Sequence, residues 1–161
     1  MNGRIRAGSG MFIEDNVTVT VRDARGRFVL RRTFHNTLTN YARATVAKWL
    51  VAVATNIGQG ALLPPDRIAL GTGTGTPAQT DTALWLETAS TRKVNSSRQV
   101  VSGYYAQYLT QYQTTDPAGT FTESGLFDAA GNLWAHVSLG NVSKSATQVL
   151  TIQWKIQVKG N

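Results

Sequence analysis

A segment of alternating glycine and threonine comes closest, in this sequence, to a motif that could bind a ligand. Residues 71–76 read Gly-Thr-Gly-Thr-Gly-Thr and follow a short apolar run. A glycine-rich loop after a strand can present backbone N–H groups to a phosphate. A Walker loop also needs a Gly-Lys-Ser/Thr ending, and a dinucleotide fingerprint needs a further glycine where Thr76 stands, directly before Pro77. Neither requirement is met, so we predict a structural loop that leads from a strand into a short helical turn at Asp81.

Acid–base or nucleophilic catalysis would have few side chains to use. The sequence has two histidines, His35 and His136, and nine acidic residues. A triad of Ser124, His136 and Asp128 is conceivable, because all three fall within one predicted hairpin. However, Ser124 lacks the Gly-x-Ser-x-Gly context of a nucleophile elbow. Asp128 begins a turn, where aspartate commonly bonds to nearby backbone. We therefore expect that the protein is not an enzyme.

The composition excludes several kinds of binding site. There is no cysteine, so disulfides and thiolate metal sites are excluded, and two histidines are too few for a zinc or iron site. No apolar run reaches the roughly 18 residues of a membrane span. We expect no metal, no cofactor, no small-molecule substrate and no membrane partner.

Positive charge is concentrated in the first third of the chain. The net charge is +7, with nine basic and three acidic residues up to Lys48, and seven basic and six acidic residues after it. A basic segment can bind nucleic acid or an acidic protein surface. Aromatic residues that could stack on bases are scarce in this segment, so the sequence favours a protein partner. The residues expected to make this contact are Arg4, Arg6, Phe12, Arg25, Arg27 and Arg31.

Trp134 is a separate candidate for a subunit contact. Alternation along the strand predicted over 133–139 defines an inward apolar set, namely Leu133, Ala135, Val137 and Leu139. This assignment leaves Trp134 and His136 facing outward. An exposed tryptophan on an antiparallel strand often marks an interface, so both residues are predicted to contact a neighbouring subunit.

A stripe of tyrosines offers a different kind of site. Tyr104, Tyr108 and Tyr112 would share one face of a single strand predicted near residues 100–112. Such a stripe could stack on sugar rings in a carbohydrate-binding module, and its other interpretation is a core or interface face.

Apolar periodicity predicts a β-rich domain with one helix. Alternation is clearest over 150–158, where apolar residues face one way and Thr, Gln and Lys face the other. A helical stripe predicts a helix over about 38–54, with Arg43 and Lys48 off the stripe. The remaining strands are predicted over 17–22, 27–34, 68–70, 100–112, 120–127 and 133–139.

The predicted fold class follows from these elements. It is mainly β with one amphipathic helix, arranged as an antiparallel β-sandwich with the helix packed on a face or edge. Residues 1–16 are predicted to form an extended basic N-terminal arm, and residues 17–161 a single domain.

Set in order, these segments resemble a family of phage proteins. The order is the basic hairpin, the helix, Arg-Ile-Ala-Leu-Gly-Thr-Gly-Thr from Arg67, Asp-Thr-Ala-Leu from Asp81, and Phe-Thr-Glu-Ser-Gly-Leu-Phe-Asp ending at Asp128. It is similar to small virion structural proteins of tailed bacteriophages and prophages, usually described as tail fibre, tail-tip or minor structural proteins. The resemblance covers about residues 17–158.

The resemblance implies a function and a location. It implies a non-enzymatic structural protein of the virion, on the tail or the capsid surface, made in the bacterial host cytoplasm. It also implies a homo-oligomer, most often a trimer, that contacts other virion proteins. Within this class a tail, baseplate or fibre component is favoured, and a capsid decoration (cement) protein is the alternative. A carbohydrate-binding module stays open as a further alternative.

Overall fold

The computed structural model describes residues 12–51, 63–102 and 105–159. These residues form ten β-strands and one α-helix. The strands are β1 (Phe12–Arg22), β2 (Phe28–His35), β3 (Thr37–Leu38), β4 (Pro65–Gly71), β5 (Lys93–Val94), β6 (Ser97–Val101), β7 (Tyr105–Tyr112), β8 (Gly119–Asp128), β9 (Leu133–Lys144) and β10 (Val149–Lys159). The helix is α1 (Asn40–Val51), which follows β3.

Sheet A contains five antiparallel strands in the order β2-β1-β10-β7-β6. β1 pairs with β10 over its whole length, from Phe12 opposite Lys159 to Arg22 opposite Val149. The predicted alternation is confirmed in the central strand β10, where Leu150, Ile152 and Trp154 are fully buried and the Thr and Gln residues between them are partly exposed. Sheet A therefore has one apolar face and one polar face.

Sheet B contains five antiparallel strands in the order β3-β9-β8-β4-β5. The main core lies between the two sheets and is filled by fully buried side chains from both of them, among them Val19, Trp154, Leu70, Leu126 and Val137. The predicted antiparallel β-sandwich is thereby confirmed.

The helix α1 packs against β9 of sheet B. Thr39 caps its start, because its side-chain oxygen accepts a hydrogen bond from the Ala42 N–H at 3.3 Å and donates to the Leu133 carbonyl at 2.6 Å. Arg43 and Lys48 are exposed, as the helical stripe predicted. The predicted continuation over 52–54 lies outside the described residues.

A second layer covers the face of sheet B that points away from sheet A. The chain between β4 and β5 crosses this face, and Leu84 from this segment joins Ala69, Phe127 and Leu133 in a small second core. Residues 123–128 of β8 and 133–137 of β9 are consequently buried, so polar side chains in these ranges need partners within the protein.

Two sequence-based predictions about strand limits are wrong. β1 begins at Phe12, so residues 12–16, predicted as arm, belong to a central strand of sheet A. Residues 1–11 lie outside the described part of the chain. The single strand predicted over 100–112 is two antiparallel strands, because Val101 pairs with Tyr105 and Ser102 takes a left-handed backbone conformation with a φ of 57°.

The helical turn predicted at Asp81 is also absent. Residues 72–92 follow an irregular path with turns at 78–81 and 88–91, where Asp81 N–H donates to the Ala78 carbonyl at 3.1 Å and Thr91 N–H to the Thr88 carbonyl at 3.2 Å. Hydrogen bonds from this segment to Glu123 of sheet B replace the helical ones.

Candidate functional site

The most concentrated chemistry in the described residues is a cluster of Asp81, Glu123 and His136, here called the carboxylate–histidine cluster. His136 Nδ1 lies 2.7 Å from Asp81 Oδ2, and His136 Nε2 lies 2.9 Å from Glu123 Oε2. Glu123 and His136 have no exposed surface, and Asp81 is mostly buried. The imidazole is thus held between two carboxyl groups in a buried position.

Glu123 also binds the backbone of the covering segment. Its Oε1 atom accepts hydrogen bonds from the N–H groups of Gly73 at 3.0 Å and Leu86 at 2.8 Å, and its Oε2 atom accepts one from Trp85 at 3.0 Å. Together with His136, these donors give the buried carboxylate four partners. A buried charge needs such partners to offset its desolvation.

The glycines of the Gly-Thr segment make this contact possible. A Cβ atom at Gly73 would lie 2.5 Å from Trp85 Cβ and 2.6 Å from Glu123 Oε1, and a Cβ atom at Gly71 would collide with the Glu123 side chain. Thr72, Thr74 and Thr76 are exposed. The alternation therefore places Gly71 and Gly73 where the segment touches the cluster, and it places the threonines where the segment meets solvent.

The geometry of the cluster limits which of its groups can carry protons. Both ring nitrogens of His136 face carboxyl oxygens, so a stable arrangement needs either a doubly protonated ring or one protonated carboxyl group. The Trp85 ring lies against the imidazole, with the two ring centroids 4.3 Å apart. The cluster can therefore hold the covering segment on sheet B, and no ring nitrogen is left for a substrate or a metal.

The described residues give no evidence of a metal site. They contain no group of three or more His, Asp or Glu side chains placed to hold a metal ion. In the carboxylate–histidine cluster the ring separates the two carboxyl groups, so the donor atoms do not converge on one point.

The triad considered in the sequence does not form. Ser124 donates its hydroxyl to the Ala69 carbonyl at 2.8 Å, and His136 contacts Asp81 and Glu123 in place of Ser124 and Asp128. Ser124 and His136 lie on opposite faces of the β8–β9 hairpin, because Ser124 is opposite Val137 and His136 is opposite Gly125.

Asp128 instead organises the turn between β8 and β9. It accepts hydrogen bonds from the Tyr41 hydroxyl at 2.7 Å, the Ala130 N–H at 2.9 Å and the Asn132 N–H at 2.9 Å. Burial by itself would raise the pKa of this carboxyl group, but the hydrogen bonds from Asn132, Tyr41 and Ala130 outweigh burial and lower the pKa. Asp128 thus ties α1 to the hairpin.

The outward orientation predicted for Trp134 is wrong. Trp134 is only 3 % exposed and lies in the main core, with its ring 5.3 Å from that of Trp49 and 6.1 Å from that of Tyr41. The cause is a β-bulge: Leu133 pairs with Phe127 and Ala135 with Leu126, so Trp134 is an extra residue. Leu133 therefore turns into the second core, and Trp134 turns toward sheet A.

The exposure predicted for His136 is wrong for a different reason. His136 does lie on the face opposite Ala135 and Val137, as predicted, but the segment of residues 72–92 covers that face. Neither Trp134 nor His136 can contact a neighbouring subunit while the described fold is intact.

The predicted basic residues of the hairpin are at the surface. Arg25, Arg27 and Arg31 are exposed. Arg27 forms an ion pair with Asp23 at 2.8 Å, and the Arg27 and Arg25 N–H groups also donate to Asp23, so the pKa of Asp23 is lowered. Arg25 and Arg31 form no ion pair within the described residues. Phe12 begins β1, and Arg4 and Arg6 lie outside the described part of the chain.

The tyrosine stripe is not an open stacking surface. Tyr112 is fully buried and donates its hydroxyl to the Ile68 carbonyl at 2.9 Å, and its burial raises the pKa of the phenol well above its usual value. Tyr108 is half-buried and lines a groove of about 430 Å³ beside Pro65, Arg98 and Val100. Tyr104 lies outside the described residues.

Sequence reasoning missed Glu123 and Asp81 as cluster residues. A signal was present for Glu123: an acidic residue inside a strand of otherwise small and apolar residues needs buried partners. The identity of those partners was not predictable, because Gly73, Trp85 and Leu86 are 37 to 50 positions away in sequence.

Comparison of the chain with known protein families, with curated proteins and with solved structures gives no match. The described residues also include no helix long and apolar enough to cross a membrane.

Proposed function

We propose that this protein is a non-enzymatic structural protein of a tailed-bacteriophage virion, a component of the tail, baseplate or fibre that assembles with copies of itself and with neighbouring virion proteins. The observation that carries the proposal is that two parts of the chain on which the resemblance rests, the Gly-Thr stretch through Asp-Thr-Ala-Leu (residues 71–84) and the stretch that ends at Asp128 (residues 121–128), contact each other. Gly73 and Asp81 from one motif and Glu123 from the other meet in the carboxylate–histidine cluster. The most distinctive residues of the chain thus serve to hold its fold together.

The burial of the cluster supports a structural role over a catalytic one. General acid–base catalysis needs a titratable group within hydrogen-bond reach of a substrate. His136 has no exposed surface, and both of its nitrogens are already engaged by the protein's own carboxyl groups. A cluster of this kind holds two segments in place.

A capsid decoration protein is the second candidate. The observation that keeps it as a candidate is the exposed hairpin carrying Arg25 and Arg31 without acidic partners among the described residues. Such a surface suits an acidic capsid shell as well as an acidic tail component, because charge complementarity sets association rate and specificity.

The carbohydrate-binding alternative loses Tyr112, one of the three tyrosines predicted for it. Tyr112 is fully buried and cannot stack on a sugar ring, and Trp134 is buried as well. The half-buried Tyr108 in its groove is the one member of the predicted stacking set that the described residues leave partly open.

Immunogold labelling of purified particles of the phage or prophage that encodes the chain tests the proposal. Label on the tail supports the tail assignment, and label on the head supports the decoration alternative in its place. Particles that lack the protein altogether, by labelling and by mass spectrometry, would overturn a virion function.

A further inference from the structure

Strand β2 is an open edge of sheet A. It pairs with β1 on one side, and no described residue pairs with its other side. Such an edge presents a row of unpaired backbone N–H and C=O groups, which can accept an additional strand. β2 is eight residues long, and its first two side chains, Phe28 and Val29, are apolar and more than half exposed.

Two adjacent arginines occupy the middle of this edge. Arg31 lies opposite Thr20 and Arg32 opposite Val19, so the two guanidinium groups belong to opposite faces of the sheet. Both residues are exposed, and neither forms an ion pair within the part of the chain that the structure describes. β2 contains no acidic residue. Any strand added to this edge would therefore meet a positive charge on each face.

The arginines disfavour pairing with a second copy of the same strand. Because β2 spans Phe28–His35, full-length antiparallel self-pairing places residue 31 of one copy opposite residue 32 of the other, twice. A shift by one residue places Arg31 opposite Arg31 or Arg32 opposite Arg32. Like charges directly opposite each other destabilise a strand pair, so self-pairing is disfavoured in the full-length register and in both registers shifted by one residue.

We propose that the free edge of β2 binds an extended, acidic segment of another protein, which adds to sheet A as a sixth strand with acidic side chains opposite Arg31 and Arg32. The backbone groups supply pairing, and the two arginines select the partner by charge. The inference deepens the proposed assembly function by naming the chemistry of the neighbour, but its test needs no virion.

The test uses the full chain and synthetic ten-residue peptides in which Thr and Val alternate around a central pair of residues. One peptide carries two adjacent glutamates at its centre, and a matched peptide carries two lysines. A third peptide keeps the glutamates, but two neighbouring residues before them and two after them are N-methylated. Backbone N–H groups that point to either edge of the peptide are thereby blocked. Affinities are measured by fluorescence anisotropy at low ionic strength, where surface charges are least screened.

The glutamate peptide is expected to bind about tenfold more tightly than the lysine peptide, since the two cross-strand pairs change from attraction to repulsion. The double variant Arg31→Glu/Arg32→Glu should reverse this preference. The control variant Lys48→Glu/Arg98→Glu changes the net charge equally at two exposed positions away from β2 and should keep it. Hydrogen exchange of β2 amides should slow when the glutamate peptide is bound.

Three results would overturn the inference. The N-methylated peptide binding as tightly as the glutamate peptide would show charge attraction without strand addition. An unchanged preference in the double variant would place the contact elsewhere. Tighter binding of a ten-nucleotide single-stranded DNA, with release of the glutamate peptide, would identify nucleic acid as the ligand. Failure of any of these tests leaves the immunogold result unaffected, so the two proposals can fail separately.

Discussion

Glu123 is the residue on which the second layer of sheet B depends. It is fully buried, and its carboxylate accepts hydrogen bonds from three backbone N–H groups of the covering segment and contacts His136. Replacing one buried partner leaves the others unsatisfied, which costs more than the hydrogen bond itself contributes. The cluster should therefore behave as a unit in stability measurements.

We expect Glu123→Gln and His136→Gln each to lower the free energy of unfolding by about 1–3 kcal/mol, because each leaves buried donors or acceptors unsatisfied. The double variant should lose less than the sum, by about 0.5–3 kcal/mol, since both residues belong to one network. Urea unfolding followed by tryptophan fluorescence measures this cycle. The surface variant Glu87→Gln, which breaks the ion pair with Arg92, should cost below about 1 kcal/mol. If the losses of the two single variants add exactly in the double variant, Glu123 and His136 do not belong to one network.

The lowered pKa of Asp128 predicts how the stability of the fold depends on pH. Its folded-state pKa is lowered, so its contribution is present above the unfolded-state value of about 3.9 and is lost as pH falls through the lower folded-state value. Asp128→Asn should therefore cost about 1.5–3 kcal/mol at neutral pH, as expected for hydrogen bonds to a charged group, and less in acid. Urea unfolding at steps from pH 7 to pH 2 measures the difference.

The variant Tyr41→Phe tests how much one hydrogen bond to Asp128 contributes to this pH dependence. It removes one donor to Asp128 and keeps the ring that contacts Trp134, so the acid-dependent part of the stability should shrink without disappearing. A difference between wild type and Asp128→Asn that stays constant or grows toward acid would contradict the assigned role.

At the scale of elements, the Gly-Thr segment is specified by close approach. Gly73→Ala would place a methyl group 2.5 Å from Trp85 Cβ, and we expect a loss of about 1–3 kcal/mol from overpacking. The matched control is Thr74→Ala, the exposed neighbour, which should change stability by less than about 0.5 kcal/mol. Thermal unfolding of the two variants under identical conditions provides the comparison. Equal effects of both changes would show that the glycine spacing is unimportant.

The elements differ in how far the sequence predicts them. Strand β10 and helix α1 were predictable, because their apolar periods continue without interruption and Thr39 supplies a cap. The face of Trp134 was not, since the bulge at Trp134, opposite Leu126 and Phe127, reverses the alternation and leaves no mark in the apolar pattern. Similarly, the turn near Ser102 separates two alternating runs that read as one strand.

The candidate site was less predictable than the strands. The face of His136 was predicted, but its burial depends on a segment that joins the sheet through Asp81, 55 positions away in sequence. Contacts at that separation are set by the packing of the whole sandwich, which no local pattern encodes.

At the scale of the whole molecule, the charge distribution limits how copies can associate. The proposed homo-oligomer should show by light scattering a mass that is a multiple of the 17.4 kDa chain, three times that value for a trimer. The double variant Arg31→Glu/Arg32→Glu should leave this mass unchanged, because like charges still lie opposite each other when two β2 edges pair, so that this pairing stays disfavoured. A change in mass caused by the double variant would show that β2 lies in the interface between copies.

The shared carboxylate has a consequence for how the molecule opens. The N–H groups of Gly73, Trp85 and Leu86 all donate to Glu123, so a fluctuation that frees one of these hydrogens frees the others. In deuterated water the three amides should therefore exchange at a common rate. This rate should be faster than that of the amides of β1 and β10 in sheet A. Separate rates for the three amides would mean that the covering segment loosens piece by piece. A common rate would make the covering segment a single cooperative flap over an intact sandwich.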